Sequence, residues 1–204
     1  VEGPVLGLSE GGLAYAMSKS PVTKVSDLQA LKVWVPDSDA MGISAMKTYG
    51  IDPIPLGIGD VLTGLQTGLI NTIAASPIAA IALQWHNQVD YLTDMPLLYI
   101  YAVFALNNRS FNKLSESDRK IVREVMSDTF KRIDRQNRKD NVAAYKALKK
   151  RGIKMVAPDP EHRNEWYQKA ERSVQKMVED KIISQAILDQ LNRLLNSYRL
   201  ESAP

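Results

Sequence analysis

The stretch from Leu31 to Pro77, LKVWVPDSDAMGISAMKTYGIDPIPLGIGDVLTGLQTGLINTIAASP, limits more than any other what this chain can fold into. Three short runs rich in β-branched and apolar residues, Lys32–Val35, Pro53–Leu56 and Ile70–Ala74, alternate with helix-period segments, and each break carries Gly, Pro or Asp. That alternation predicts strand, helix, strand, helix, strand: βαβ units, hence parallel pairing. Ligands of open parallel sheets sit outside the carboxyl ends of the strands. Three loops meet there, Trp34-Val35-Pro36, Leu56-Gly57-Ile58-Gly59 and Ala75-Ser76-Pro77, and they are where function is to be sought.

Punctuation supports the reading. Ser38 or Asp39 can cap a helix whose Met41, Ile43, Ala45 and Met46 face the sheet, with Gly50 in the left-handed position at its end. Asp60 can cap the next, in which Val61, Leu62, Leu65 and Leu69 recur at helical spacing, with Gly68 near its end. Pro77 suits the first turn of a helix running through Trp85 and His86, because its missing N–H is not needed there. Ahead of this stretch, Leu13–Met17 reads as extended and Ser26 as the N-cap of one helical turn. Behind it, Tyr91–Thr93 and Leu97–Leu106 read as two strands.

The second half is helical. Ser115 and Asp118 form a capping-box-like start, and Ile121, Val122, Val125, Met126, Phe130 and Ile133 give a long amphipathic helix. It continues through Val142, Tyr145 and Leu148 and stops at Gly152 after a basic last turn. Ile153–Val156 is a lone strand. Pro158-Asp159-Pro160 opens a helix carrying Trp166, Ala170, Val174 and Met177, and Ser184 caps a last one lined by Ile187, Leu191 and Leu194. The net charge of +3 comes from basic clusters in this half, with Asp128, Asp134 and Asp140 among them. Mixed charge of that kind describes a solvated helix face and argues against nucleic acid as a partner. With 45% apolar residues the chain can build a sizeable core, while its longest apolar run, Ile78–Trp85, is too short to span a bilayer. Cysteine is absent, which excludes disulfides and thiolate metal sites.

Motifs of catalysis do not hold up in context. Gly7-Leu8-Ser9-Glu10-Gly11 matches G-x-S-x-G, but a nucleophile elbow needs a helix directly after the serine, and here an extended segment follows. Gly57-Ile58-Gly59 begins like a dinucleotide fingerprint, yet Leu62 occupies the third glycine position. His86 with Asp90 and His162 with Glu165 are too far apart and too few for a metal site, which leaves them surface or packing roles and no cofactor. Trp34, at the carboxyl end of a central strand, is either core filler or the apolar wall of a cleft.

Several segments resemble the solute-binding proteins of tripartite ATP-independent periplasmic (TRAP) transporters. Val25-Ser26-Asp27-Leu28-Gln29-Ala30-Leu31-Lys32-Val33-Trp34-Val35-Pro36 is similar to that family's DLKGLKxRVP segment, and Asp60-Val61-Leu62-Thr63-Gly64-Leu65-Gln66-Thr67-Gly68 to its EVYxALQTG. Ser76-Pro77 stands at its QENP, and Phe111–Ser115 and Gly152-Ile153-Lys154 fit later stations. The resemblance implies an α/β, periplasmic-binding-protein-like fold of two lobes with long C-terminal helices. The order of elements resembles the latter part of such a protein, so the N-terminal lobe is expected to be incomplete. Residues 1–30 would be a crossover segment and remnant of lobe one. Residues 31–97 would form lobe two, and 98–204 a return strand, a long spanning helix and helices completing lobe one. Open edges and apolar faces then call for a domain-swapped or otherwise paired homodimer, or for a companion segment.

The same resemblance bears on the ligand. The family's carboxylate-binding arginine falls at Trp34, a second frequently basic position at Ala14, the asparagine of QENP at Ser76 or Ala75, and the aromatic before EVY at Ile58. Each change removes charge or polarity, and an organic acid buried without a cation would carry several kcal/mol of uncompensated desolvation. The expected ligand is therefore a small, neutral or largely apolar organic molecule, with Trp34, Ile58, Tyr15 and Met17 lining its pocket. The implied role is capture in the periplasm without chemistry, with membrane transporter subunits as partners and an additional periplasmic protein as a plausible further one. The competing reading is a protein-interaction module whose cleft is vestigial.

Overall fold

The computed structural model describes residues 2–201. Two long strands, β1 (Val5–Ser18) and β5 (Tyr91–Ala105), run antiparallel along their whole length, from Val5 opposite Ala105 to Ser18 opposite Tyr91. β5 joins the two pieces expected on either side of residues 94–96. The ladder shifts register where Tyr15 faces Pro96, a residue with no N–H to offer.

The strands expected from the βαβ pattern are present within two residues of their predicted limits: β2 (Trp34–Pro36), β3 (Ile54–Leu56) and β4 (Thr72–Ala75). β2 pairs parallel with β3, and a parallel bridge from Val33 to Thr72 sets it beside β4. β4 in turn pairs antiparallel with the end of β1, Tyr15 opposite Ala75 and Ser18 opposite Thr72. A short β6 (Lys154–Val156) lies parallel on the far side of β5. The parallel strands thus continue, through β4, into an antiparallel ribbon.

The helices are α1 (Val25–Gln29), α2 (Ala40–Thr48), α3 (Val61–Thr67), α4 (Pro77–Ala82), α5 (Asn108–Phe111), α6 (Glu116–Lys150), α7 (Arg163–Glu179) and α8 (Gln185–Glu201). Asp39 caps α2, its carboxylate accepting from the Gly42 N–H at 2.9 Å, and Gly68 ends α3 in the left-handed region at φ +72°. Ser115 caps α6, which at 35 residues is about 52 Å long.

Three expectations need correction. Ser26 is not the cap of α1: the helix begins at Val25, and the Asp27 carboxylate folds back onto the Thr23 and Lys24 N–H groups, a stronger acceptor than a hydroxyl. Asp60 makes no side-chain cap bond, because a 3₁₀ turn over Ile58–Asp60 leads into α3. The helix from Pro77 does not reach His86. α4 stops at Ala82, Gln84 turns left-handed, and a 3₁₀ turn over Trp85–Gln88 swings Trp85 into the core.

The core has two parts. Met17, Trp34, Val61, Leu65, Ile70, Ile73, Trp85, Leu92 and Leu148 pack together, which ties β1, β2, β4, α3 and the end of α6. Val22, Val25, Leu28, Val33, Ile51 and Trp166 form a second cluster that docks α7. Far from both, the first half of β1, the second half of β5 and α8 leave Val5, Leu8, Tyr101, Val103, Leu194 and Tyr198 exposed. Among the described residues no helix is long and apolar enough to cross a membrane.

Candidate functional site at the strand ends

The carboxyl ends of β2, β3 and β4 do lie side by side, as the βαβ pattern requires. Trp34 stands between them, only 6% exposed. Its indole N–H donates to the Leu56 carbonyl at 3.0 Å, and its ring meets Trp85 edge-on at 5.2 Å between centroids. The indole is therefore held in the core, and its one polar atom is spoken for.

The other residues named from the sequence divide by exposure. Ala75 and Ser76 are buried where β4 turns into α4, and Met17 packs with Trp34 in the first core cluster. Ala14 is fully buried in β1. Ile58 is 57% exposed on the turn after β3. Tyr15, opposite Ala75, turns toward α6, its ring 5.6 Å from that of Tyr145. The structure thus pairs Tyr15 with Ala75 next to Ser76, packs Trp34 and Met17 with Ala75 in one core cluster, and leaves Ile58 exposed.

Sequence reasoning passed over the carboxylates of this end. A Cβ on Gly57 would lie 3.5 Å from an Asp60 carboxylate oxygen and 3.9 Å from one of Asp37, so the two acids converge on that glycine. With Asp39 the three closing loops, 36–40, 56–61 and 75–78, hold three aspartates and no lysine or arginine. The signal was available, since Asp37 and Asp60 each follow shortly after a strand, but Asp60 looked like an ordinary cap.

On the α6 side of Tyr15 lies a cavity of about 440 Å³, walled by Leu13, Tyr15, Pro77, Tyr99, Val142 and Tyr145, with Glu10, Arg138 and Asn141 among its polar residues. Those polar groups are largely used up on one another. Arg138 is paired with Glu10 and Asp134, and the Tyr145 hydroxyl donates to Asp94 at 2.7 Å. Partial burial, and then hydrogen bonds to Asp94 and Glu10, keep the Tyr145 and Tyr99 phenols protonated well above their ordinary range. Lys146 also lines the cavity, so it offers a largely apolar wall with one ammonium that no hydrogen bond or ion pair among the described residues occupies.

Ser9 sits mid-strand in β1, buried opposite Ala102, where no substrate could reach its hydroxyl. His86 is buried too, contacting the Ala80 carbonyl and the Arg151 guanidinium. Since arginine can only donate, the ring nitrogen facing it is the acceptor, and Nδ1–H donates to Ala80. Among the described residues no three His, Asp or Glu side chains gather to hold a metal.

Residues 4–181 match the bacterial extracellular solute-binding protein family 7, DctP. A solute-binding protein of Verminephrobacter eiseniae is 30% identical over 115 residues, 55% of this chain and 34% of that protein. The ectoine/5-hydroxyectoine-binding periplasmic protein UehA of Ruegeria pomeroyi is 28% identical over 116 residues, 57% of this chain and 34% of its own length. A TRAP periplasmic solute-binding protein from Xanthobacter autotrophicus, solved with β-D-galacturonate, superposes with a TM-score of 0.78 at 19% identity, covering 93% of this chain and 61% of that one. The chain spans about a third of these curated relatives and under two thirds of the solved one. The chain has the α/β, periplasmic-binding-protein-like fold of the solved relative over the part it covers, and the family binds solutes rather than transforming them. By its sequence match over residues 4–181, the chain belongs to the bacterial extracellular solute-binding protein family 7, the solute receptors of TRAP transporters.

Proposed function

We propose that this chain serves in the periplasm as the solute-capturing part of a TRAP transporter, taking a small neutral or largely apolar organic molecule at the ends of β2, β3 and β4 and passing it to membrane subunits. Residues 31–97 would be the lobe that carries those ends, with residues 1–30 and 98–204 serving the other lobe. An additional periplasmic protein would be a natural further partner. The observation that carries the reading is the charge of the strand-end loops: three aspartates, no cation, and an indole committed to the core in the central strand. A carboxylate ligand brought there would meet Asp37 and Asp60 rather than a counter-ion. The solved relative with galacturonate is an acid binder, and on this proposal the present chain differs from it in ligand charge.

Native mass spectrometry and thermal shift test the proposal with matched probes. Uncharged organic solutes should raise the melting temperature or be retained, while galacturonate at millimolar concentration should leave it unchanged. A larger shift with galacturonate than with galactose would overturn the charge argument. A second reading, a protein-interaction module, is favoured by the exposed apolar face of β1, β5 and α8. We infer that this face is covered by a second copy or a companion segment. A monomer that persists on dilution and binds no other chain would refute that.

A further inference from the structure

β1 is continuous but not regular. Glu10 stands opposite Tyr101 and Gly12 opposite Ile100, so Gly11 is an extra residue in the ladder, and Gly12 takes φ +95°. A bulge of this kind leaves backbone groups without strand partners, and those out of water must find others. α6 supplies them. The Asp134 carboxylate accepts the Glu10 N–H at 2.8 Å, Asn137 Nδ2 donates to the Glu10 carbonyl at 2.9 Å, and Asn141 Nδ2 donates to the Gly11 carbonyl at 3.1 Å. Positions 134, 137 and 141 fall on one face of the helix. The bulge also divides β1, which pairs only with β5 before it and with both β4 and β5 beyond Ala14.

Asn141 does more than its two companions. Its second amide hydrogen goes to the Asn137 carbonyl at 3.1 Å, and its Oδ1 accepts the Ile78 N–H at 3.4 Å. Only this orientation of the amide gives every partner the right polarity. Ile78 is in the first turn of α4, two residues past Ser76, and its N–H has no partner within a helix. One side chain therefore joins the bulge of β1, the long helix and the turn that follows β4. A Cβ on Gly12 would come within 2.6 Å of the Asn141 amide, so glycine is what lets the contact form.

We propose that Asn141 is a positioning residue that couples the ligand-facing end of β4 to the pivot between the two halves of β1. Rotation about the bulge draws Gly11 and Ile78 apart, and Asn141 must release one of them. The proposal takes its purpose from the solute-capture reading, but its geometry is testable with no solute present.

The chain has no cysteine, so cysteines introduced at exposed Leu69 and Val125 carry the only spin labels, one near α3 and one on the distal part of α6. Two readouts are compared: Ile78 amide exchange by NMR, and the distance distribution between labels. Asn141→Leu should speed Ile78 exchange about fivefold, the loss of one ordinary hydrogen bond, and should broaden the distribution about twofold. Asn141→Asp keeps the acceptor for Ile78 and loses the donor to Gly11, so it should broaden the distribution with Ile78 still protected. Asn137→Leu, which touches only the Glu10 carbonyl, should leave Ile78 protected. Unchanged Ile78 exchange in Asn141→Leu, or equal broadening in Asn137→Leu, would overturn the proposal. If Asn141→Leu does not fold, Asn141→Asp decides: an unbroadened distribution, or lost Ile78 protection, refutes it. Neither readout involves a ligand, so a failure here is distinct from a failure of the solute tests.

Discussion

Trp34→Ala asks whether the residue in the arginine position is a wall of the cleft or a pillar of the core. An indole buries on the order of 200 Å², which at about 25 cal/mol per Å² is an upper bound near 5 kcal/mol. With 6% exposure nearly all of that applies. The edge-on contact with Trp85 adds about 1 kcal/mol, and the bond to the Leu56 carbonyl a net ~1 kcal/mol. Against these, the cavity partly collapses and the unfolded chain already hides some surface. The expected cost is about 4 kcal/mol, within the usual range for deleting a buried indole. Trp34→Phe keeps most of the apolar area and loses the N–H donor, so it should cost about 1–2 kcal/mol. Urea unfolding followed by circular dichroism is the assay, because the substitution itself removes one of the three tryptophan fluorophores. A cost below about 1.5 kcal/mol for alanine, or equal costs for the two variants, would mean that the ring faces solvent in a cleft and that the packing argument is wrong.

Two further perturbations probe the frame. Asp27 is partly buried, which opposes its charge, but hydrogen bonds from the Thr23 and Lys24 N–H groups and the Thr23 hydroxyl outweigh this and hold its carboxyl below the usual aspartate range. Such an acid contributes stability that is complete above its unfolded value near 4 and is lost as the pH falls further. The stability gap between the protein and Asp27→Asn should therefore narrow from pH 6 to pH 3 in denaturant titrations, and a constant gap would count against the hydrogen-bond account. Ser115→Ala removes the oxygen that accepts the Asp118 N–H at 3.1 Å and should cost about 1 kcal/mol by the same measurement, whereas Ser117→Ala, two residues on, should cost little.

What the sequence disclosed was local. β2, β3 and β4 could be read because β-branched runs sat between capped helices, and Asp39, Gly68 and Ser115 do what their side chains and backbones favour in any context. Ser26 and Asp60 misled for the same reason. Each is a capping residue type near a helix start, and which N–H groups a side chain meets depends on where and how the chain enters the helix. The antiparallel attachment of β1 to β4 had no local signal, since Tyr15 and Ala75 are 60 residues apart in the chain. At the candidate site, residue type was legible and direction was not. Trp34 could equally have faced in or out, and only the Leu56 carbonyl and Trp85 decide it. Asn141 looked like one more polar residue on a solvated helix, because its partners are backbone atoms of Gly11 and Ile78, far off in the chain.

The unbroken length of α6 makes it a lever. On the coupling proposed above its fixed point is near Asn141, some 25 residues from Glu116, a lever arm of about 38 Å. A tilt of only about 10° at that fulcrum would sweep the distal end through about 6–7 Å, about twice the 3.1 and 3.4 Å of the hydrogen bonds Asn141 makes to Gly11 and Ile78. Movements too small to see at the strand ends would thus be displayed, magnified, at Ser115 and the turn before it.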